Sequence, residues 1–82
     1  MDIQVGIYHR WGHDQNGHLQ RFIIVLNFSY KDQTVNVPFS ENGQWTDLLS
    51  FENGQWGTWK PTIENYNMEL KIGRCWGHIF YQ

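Results

Sequence analysis

The stretch Gln20-Arg21-Phe22-Ile23-Ile24-Val25-Leu26-Asn27-Phe28-Ser29-Tyr30, followed by Lys31-Asp32 and then by Gln33-Thr34-Val35-Asn36-Val37-Pro38-Phe39, decides the fold class. Phe22 to Leu26 would be apolar on both sides of a strand, the pattern of a central strand covered on both faces. Lys31-Asp32 is a turn signal. After it, Val35, Val37 and Phe39 alternate against Thr34 and Asn36 with the period of two that marks a half-buried strand. Pro38 has no N–H to give to a ladder, so this second strand lies at an edge or ends there.

Working outward, the same signature recurs. Ile3 to Arg10 carries Ile3, Val5 and Ile7 on one face. Gln44 to Phe51 and a weaker segment from Gln55 to Trp59 come next, the latter stopped by Pro61. Tyr66 to Ile72 places Met68, Leu70 and Ile72 together, and Cys75 to Tyr81 sets Trp76, His78 and Phe80 against Gly77, Ile79 and Tyr81. Asn-Gly occurs at Asn16-Gly17, Asn42-Gly43 and Asn53-Gly54. It is the strongest short-range hairpin signal, because both residues accept the positive φ of a type I′ turn. Gly73-Arg74 is a further turn candidate. The chain has 82 residues, fourteen of them aromatic, and no alanine, the best helix former. Seven or eight short strands at this spacing predict one all-β domain over 1–82, an antiparallel sandwich or barrel. Phe22, Phe28, Phe39, Trp45, Trp76 and Phe80 are its expected aromatic core.

Composition removes several function classes. With 40% apolar and 17% charged residues the chain is not a disordered polar segment. The six basic residues are scattered and the net charge is −2, so no nucleic-acid partner is expected. The longest apolar run, Phe22 to Leu26, is far below a membrane span, and no membrane partner is expected. No signal-peptide pattern opens the sequence. The lone Cys75 cannot form an internal disulfide; it is compatible with the cytoplasm but fixes no compartment. Beside Trp76 it reads as a small buried hydrophobe.

No catalytic constellation emerges. His9, His13 and His18 lie within ten residues, but their spacing matches no short zinc motif, so no metal or other cofactor is assigned. Asp14, Asp32, Glu41 and Glu52 sit at turns, where carboxylates are ordinarily solvated. Asp47 lies inside a strand, and its side chain is expected to bond nearby backbone donors. Ser29, Ser40 and Ser50 fall at strand ends, where hydroxyls cap turns. The pentapeptide Glu41-Asn-Gly-Gln-Trp45 recurs as Glu52-Asn-Gly-Gln-Trp56, and Trp11-Gly-His13 recurs as Trp76-Gly-His78. The first pair reads as one turn solution used twice. The surplus aromatics are left. Trp56, Trp59 and Tyr66 would serve as flat platforms for sugar rings, or as core, or as a docking surface, since aromatics are enriched at interfaces. Trp11 and His13 are candidates for a domain interface.

The ordered set Val25-Leu-Asn27-Phe28-Ser29, Val35-Asn-Val-Pro-Phe39, Gly43-Gln-Trp45-Thr-Asp47-Leu-Leu-Ser50 and Trp76-Gly-His-Ile-Phe-Tyr81 resembles the C-terminal all-β domain (domain C) of the α-amylase family, glycoside hydrolase family thirteen. Ile7-Tyr-His-Arg10 is similar to that domain's first strand. Two features depart from the pattern. Phe51 follows Ser50 where the family often has Gly, and Gln55 to Asn65 is longer and more aromatic. The resemblance implies a Greek-key sandwich, monomeric, attached to a catalytic (β/α)8 barrel whose acid, base and nucleophile have no match here. It implies a structural role against that barrel, and an α-glucan such as starch as a further partner in some members.

Overall fold

The computed structural model describes residues 4–82. Ile3, assigned to the first strand by its alternation with Val5 and Ile7, lies outside them. Among the described residues there is no helix, and so none long and apolar enough to cross a membrane. Ten short strands make antiparallel pairs arranged in a sandwich-like all-β domain.

The larger layer is built on the apolar stretch. β2 (Leu19–Asn27) is central, with β1 (Val5–His13) on one side and β10 (Gly77–Tyr81) on the other; β5 (Thr46–Asp47) follows β10. The register sets Ile7 opposite Val25, His9 opposite Ile23 and Trp11 opposite Arg21. β10 pairs His78 with Val25 and Phe80 with Ile23. The facing layer consists of β3 (Gln33–Pro38) on β9 (Asn67–Ile72), with β4 (Gly43–Gln44) on β8 (Thr62–Ile63) beside it. β6 (Phe51–Glu52) and β7 (Gln55–Trp56) form a separate two-stranded hairpin.

The core fills the space between the layers. Ile23, Val25 and Phe80 meet Val37, Phe39, Trp45, Ile63, Leu70 and Ile72, with Phe39 set edge-on to both Trp45 and Phe80. Burying such side chains is worth about 1.5–3 kcal/mol each, and the edge-to-face contacts add to it. Of the expected aromatic core, Phe39, Trp45 and Phe80 are buried. Phe28 and Trp76 are not, being 56% and 55% exposed. Alternation explains Phe28: Ile23, Val25 and Asn27 point inward, so Phe22, Ile24, Leu26 and Phe28 fall on the other face. Phe22 is accordingly half-buried there, against Tyr81. Trp76 and Cys75 belong to the Gly73–Trp76 turn, in which Cys75 takes φ 51°, and both are exposed rather than buried.

Asn27 joins the two layers. Its Nδ2 donates to the carbonyls of Lys31 at 2.9 Å, Ile72 at 3.2 Å and Gly73 at 3.1 Å. Its Oδ1 accepts from the N–H of Ser29 at 3.0 Å and its hydroxyl at 2.7 Å. One buried carboxamide therefore holds the end of β2, the turn into β3 and the end of β9 together.

Turn chemistry differs among the Asn-Gly sites. Only Asn53-Gly54 has both residues at positive φ, 52° and 80°, as a type I′ hairpin requires. At the other two only the glycine does. A further two-residue turn with both residues at φ 58° is made by Asn65-Tyr66, between β8 and β9. Tyrosine is unfavourable in that region. The turn is held from outside, by the Tyr66 N–H to Asn42 Oδ1 at 2.8 Å and the Phe39 N–H to Tyr66 O at 2.8 Å.

Three stability changes are expected in urea titration. Asn27→Asp sets a carboxylate against three carbonyls and loses about 3 kcal/mol or more, whereas Ser29→Ala loses about 1 kcal/mol. Tyr66→Gly relieves the left-handed strain and gains up to about 1 kcal/mol; a loss of stability would contradict the strained geometry.

Candidate functional site

Three surfaces carry residues that the core does not use. The first is the outer face of the four-stranded layer. Three rows cross it: Gly6, Leu26 and Gly77; Tyr8, Ile24 and Ile79; Arg10, Phe22 and Tyr81. Sheets with one face in water ordinarily alternate apolar with polar. Here Phe22, Ile24, Leu26, Ile79 and Tyr81 are all half-exposed. The glycines keep the face low. A Cβ on Gly6 would lie 2.9 Å from the Tyr8 ring, and one on Gly77 would lie 2.8 Å from the Val25 carbonyl oxygen and 2.7 Å from Leu26 Cδ2. Beyond the Gly77 end of this face, Phe28, Leu49 and Trp76 line an open recess of about 400 Å³.

The second surface surrounds Asp47, which is 1% exposed. The strand carrying it bends between layers: Gly43 and Gln44 pair with β8, while Asp47 pairs with Phe80 of β10 on one side and Trp59 on the other. Its Oδ1 accepts the Leu49 N–H at 3.1 Å, the backbone donor that the sequence led us to expect. Its Oδ2 lies 2.6 Å from His78 Nδ1, a partner 31 residues away that no spacing indicated. The His78 ring stacks on Phe80 and meets the Trp59 ring edge-on. A carboxylate orienting an imidazole is half of a nucleophile-activating arrangement. The neighbouring hydroxyl is otherwise employed: Ser50 Oγ donates to Asp47 O at 2.6 Å and accepts the Trp59 N–H at 2.8 Å. Among the described residues no hydroxyl or thiol hydrogen-bonds His78. The pair clasps the bent strand to β10.

The third surface is the far end of the β1–β2 hairpin. His9 is half-buried, but Trp11 and His13 are exposed, so the hairpin runs past the core. The Cα radius of gyration, 13.2 Å, exceeds the roughly 12 Å of a compact domain of this length. Trp11 and His13 lie on the core-facing side of the hairpin, opposite the outer apolar face. Trp11, Leu19, Arg21 and Ser40 line a recess of about 220 Å³.

The sugar-platform candidates are held by different neighbours. Trp56 pairs with Phe51 at the β6–β7 hairpin, ring centroids 4.8 Å apart. Trp59 packs on His78 and Phe80. Tyr66 stands on its turn, and no ring contact joins the three. His18 Nδ1 lies 3.4 Å from Asp14 Oδ2, and among the described residues no three His, Cys, Asp or Glu side chains converge as a metal site would need.

Removing one partner of a buried hydrogen bond leaves the other's polar atom unsatisfied. His78→Ala is therefore expected to lose about 3 kcal/mol in urea titration, because Asp47 keeps only one N–H. Asp47→Val combined with His78→Phe should recover most of that loss, and the double-mutant cycle measures the coupling. Additive losses would show that the clasp contributes nothing.

In comparisons with known proteins, no family model, no curated protein and no solved structure matches this chain.

Proposed function

We propose that the chain is a non-catalytic C-terminal β-domain of an α-amylase-like glycoside hydrolase acting on α-1,4-glucans. It packs against a catalytic (β/α)8 barrel of the same parent chain and stabilises it. The observation that carries this is the outer sheet face, where Phe22, Ile24, Leu26, Ile79 and Tyr81 form a continuous apolar surface half-open to water. Free-standing domains rarely leave so much adjoining apolar surface uncovered. The motifs behind the family resemblance support the same reading. Val25-Leu-Asn27 closes the central strand, Val35 to Pro38 lies in β3, Trp45-Thr-Asp47 lies in the bent segment that carries β4 and β5, and Gly77 to Tyr81 is the last strand. A Greek-key order and a monomeric state go with the proposal. The main alternative is a carbohydrate-binding module working through Trp56, Trp59 and Tyr66. It has less support, since these rings sit on separate supports.

The test is the complete open reading frame and its product. A barrel with three carboxylates in family order is expected upstream, together with starch hydrolysis by the whole protein and none by residues 1–82. In that protein Ile24→Glu should lower the melting temperature by at least about 2 °C, while the same change leaves the isolated domain as stable or more so. A reading frame without a barrel, or an Ile24→Glu parent as stable as the wild type, would overturn the proposal.

A further inference from the structure

β1 is the end strand of the four-stranded layer, and among the described residues nothing pairs with its far edge. The hydrogen bonds show which groups that leaves open. The Phe28 N–H donates to Gln4 O at 2.7 Å, so in this register the even residues of β1 turn their N–H and C=O toward β2. The odd residues of β2 are spent on its other neighbour: Asn27 N–H donates to Trp76 O at 2.8 Å, and Arg21 pairs reciprocally with Gln82 at 3.1 Å and 3.0 Å. The backbone groups of Val5, Ile7, His9, Trp11 and His13 therefore point off the edge of the sheet. One local bond occupies that edge, from Arg10 Nη1 to His9 O at 2.8 Å. Proteins ordinarily blunt such an edge with proline, lysine, a bulge or a very short strand. Elsewhere this domain does so: β3 ends at Pro38, β9 carries Lys71, and β5 has two residues and is bridged to Trp59. β1 runs for 9 residues in unbroken register with none of these devices, Arg10 being its one fixed charge.

Such an edge accepts another strand, and the sequence of β1 is complementary to itself. Laid antiparallel on a copy, with His9 opposite the partner's His9, every residue from Val5 to His13 meets one. On the core-facing side Ile7 then lies opposite the partner's Trp11, and Val5 opposite the partner's His13. On the outer side Tyr8 lies opposite the partner's Arg10, and Gly6 opposite the partner's Gly12. Arg10 thus meets a ring rather than its own kind, which would repel it. These even positions are the non-hydrogen-bonded ones of the new ladder, where side chains approach most closely, and a guanidinium beside a phenol ring is attracted there. A Cβ on Gly12 would meet nothing within 4 Å, so the glycine pairs leave that approach open. Trp11, 70% exposed in the single domain, receives Ile7 of the partner subunit as apolar cover. We propose that β1 is a self-pairing edge, through which two copies of this chain join antiparallel over Val5–His13 about a two-fold axis at His9. A ladder of one strand from each copy is at the small end of interface sizes, so the chain is monomeric when dilute and pairs as its concentration rises. The ladder uses the strand's edge and not the outer face, and it does not depend on the proposed parent enzyme.

Sedimentation velocity of the 82-residue chain from about 10 µM to about 1 mM tests the pairing. The average mass should rise toward that of a dimer across this range. His9→Pro removes an N–H that the β1–β2 ladder does not use, and His9→Lys sets like charges together at the axis. Each should keep the strand-rich circular dichroism of the wild type and weaken the dimer by about tenfold or more. Cross-linking reads the register. With Cys75→Ser throughout, chains carrying Tyr8→Cys should form disulfides with chains carrying Arg10→Cys in preference to their own kind. A chain still monomeric at the highest concentration, a dimer that His9→Lys leaves as tight as before, or cross-links no richer in the mixed pair than in the like pairs would overturn the proposal. None of these results touches the docking reading, which is read from the parent's melting temperature.

Discussion

The Asn27 carboxamide is where the two layers become one domain. It sits 3% exposed at the end of the central strand, and its five hydrogen bonds reach the β2–β3 turn and the last residues of β9. A buried amide with unmet partners costs more than its bonds return, so each of those segments is obliged to arrive in register. The consequence spreads along both layers. Once Asn27 is inward, Ile23 and Val25 are inward as well, and β3 is delivered with Val35 and Val37 toward them. A second polar join, Asp47 with His78, lies on the neighbouring strands, where His78 is paired with Val25. No buried side-chain nitrogen or oxygen among the described residues is left without a partner.

Alternation along β2 also explains the surface that the domain does not use. A strand of Phe22-Ile23-Ile24-Val25-Leu26 cannot have one wet face, and its sequence predicts cover on both sides. The domain supplies cover on one side only. The outer residues are therefore left half-exposed, in rows that β1 and β10 extend with Tyr8, Ile79 and Tyr81. The glycines at positions 6 and 77 fit the same face, since any side chain there would collide with Tyr8, with Leu26 or with the Val25 carbonyl. Period-two sequences carry this information plainly: it was legible that both faces of β2 were apolar, but not which face the domain would cover.

What local sequence could not carry is shown by one pentapeptide. Glu41-Asn-Gly-Gln-Trp45 and Glu52-Asn-Gly-Gln-Trp56 are identical, and one shared turn was the simplest expectation. The second copy closes a two-residue hairpin on itself and leaves Trp56 64% exposed. In the first, Asn42 keeps a negative φ and lends its Oδ1 to the Tyr66 N–H, Gly43 pairs with Ile63, and Trp45 is fully buried with its indole N–H on Glu41 O. The partners that separate the two lie about twenty residues downstream. The Asn65-Tyr66 turn was missed for the related reason that tyrosine is a poor residue for positive φ, and only Asn42 and Phe39, bonding it from elsewhere, hold it there. His78 was likewise visible as an alternating strand residue, but its pairing with Asp47 depends on a strand that changes layers at Trp45.

The aromatic surplus divides along these same lines. Phe39, Trp45 and Phe80 are enclosed because they face one another between the two layers. Phe22 and Tyr81 are outward on the central strands and so belong to whatever covers that face. Trp59 is shared, its backbone bonded to Ser50 and its ring set against His78. Trp11 falls in none of these groups. It has the inward parity of Ile7 and His9, but the facing layer stops short of it, and a strand residue with core parity and no core opposite is a platform held by a rigid ladder. Orientation comes from the pairing with Arg21, and exposure comes from the length of the hairpin.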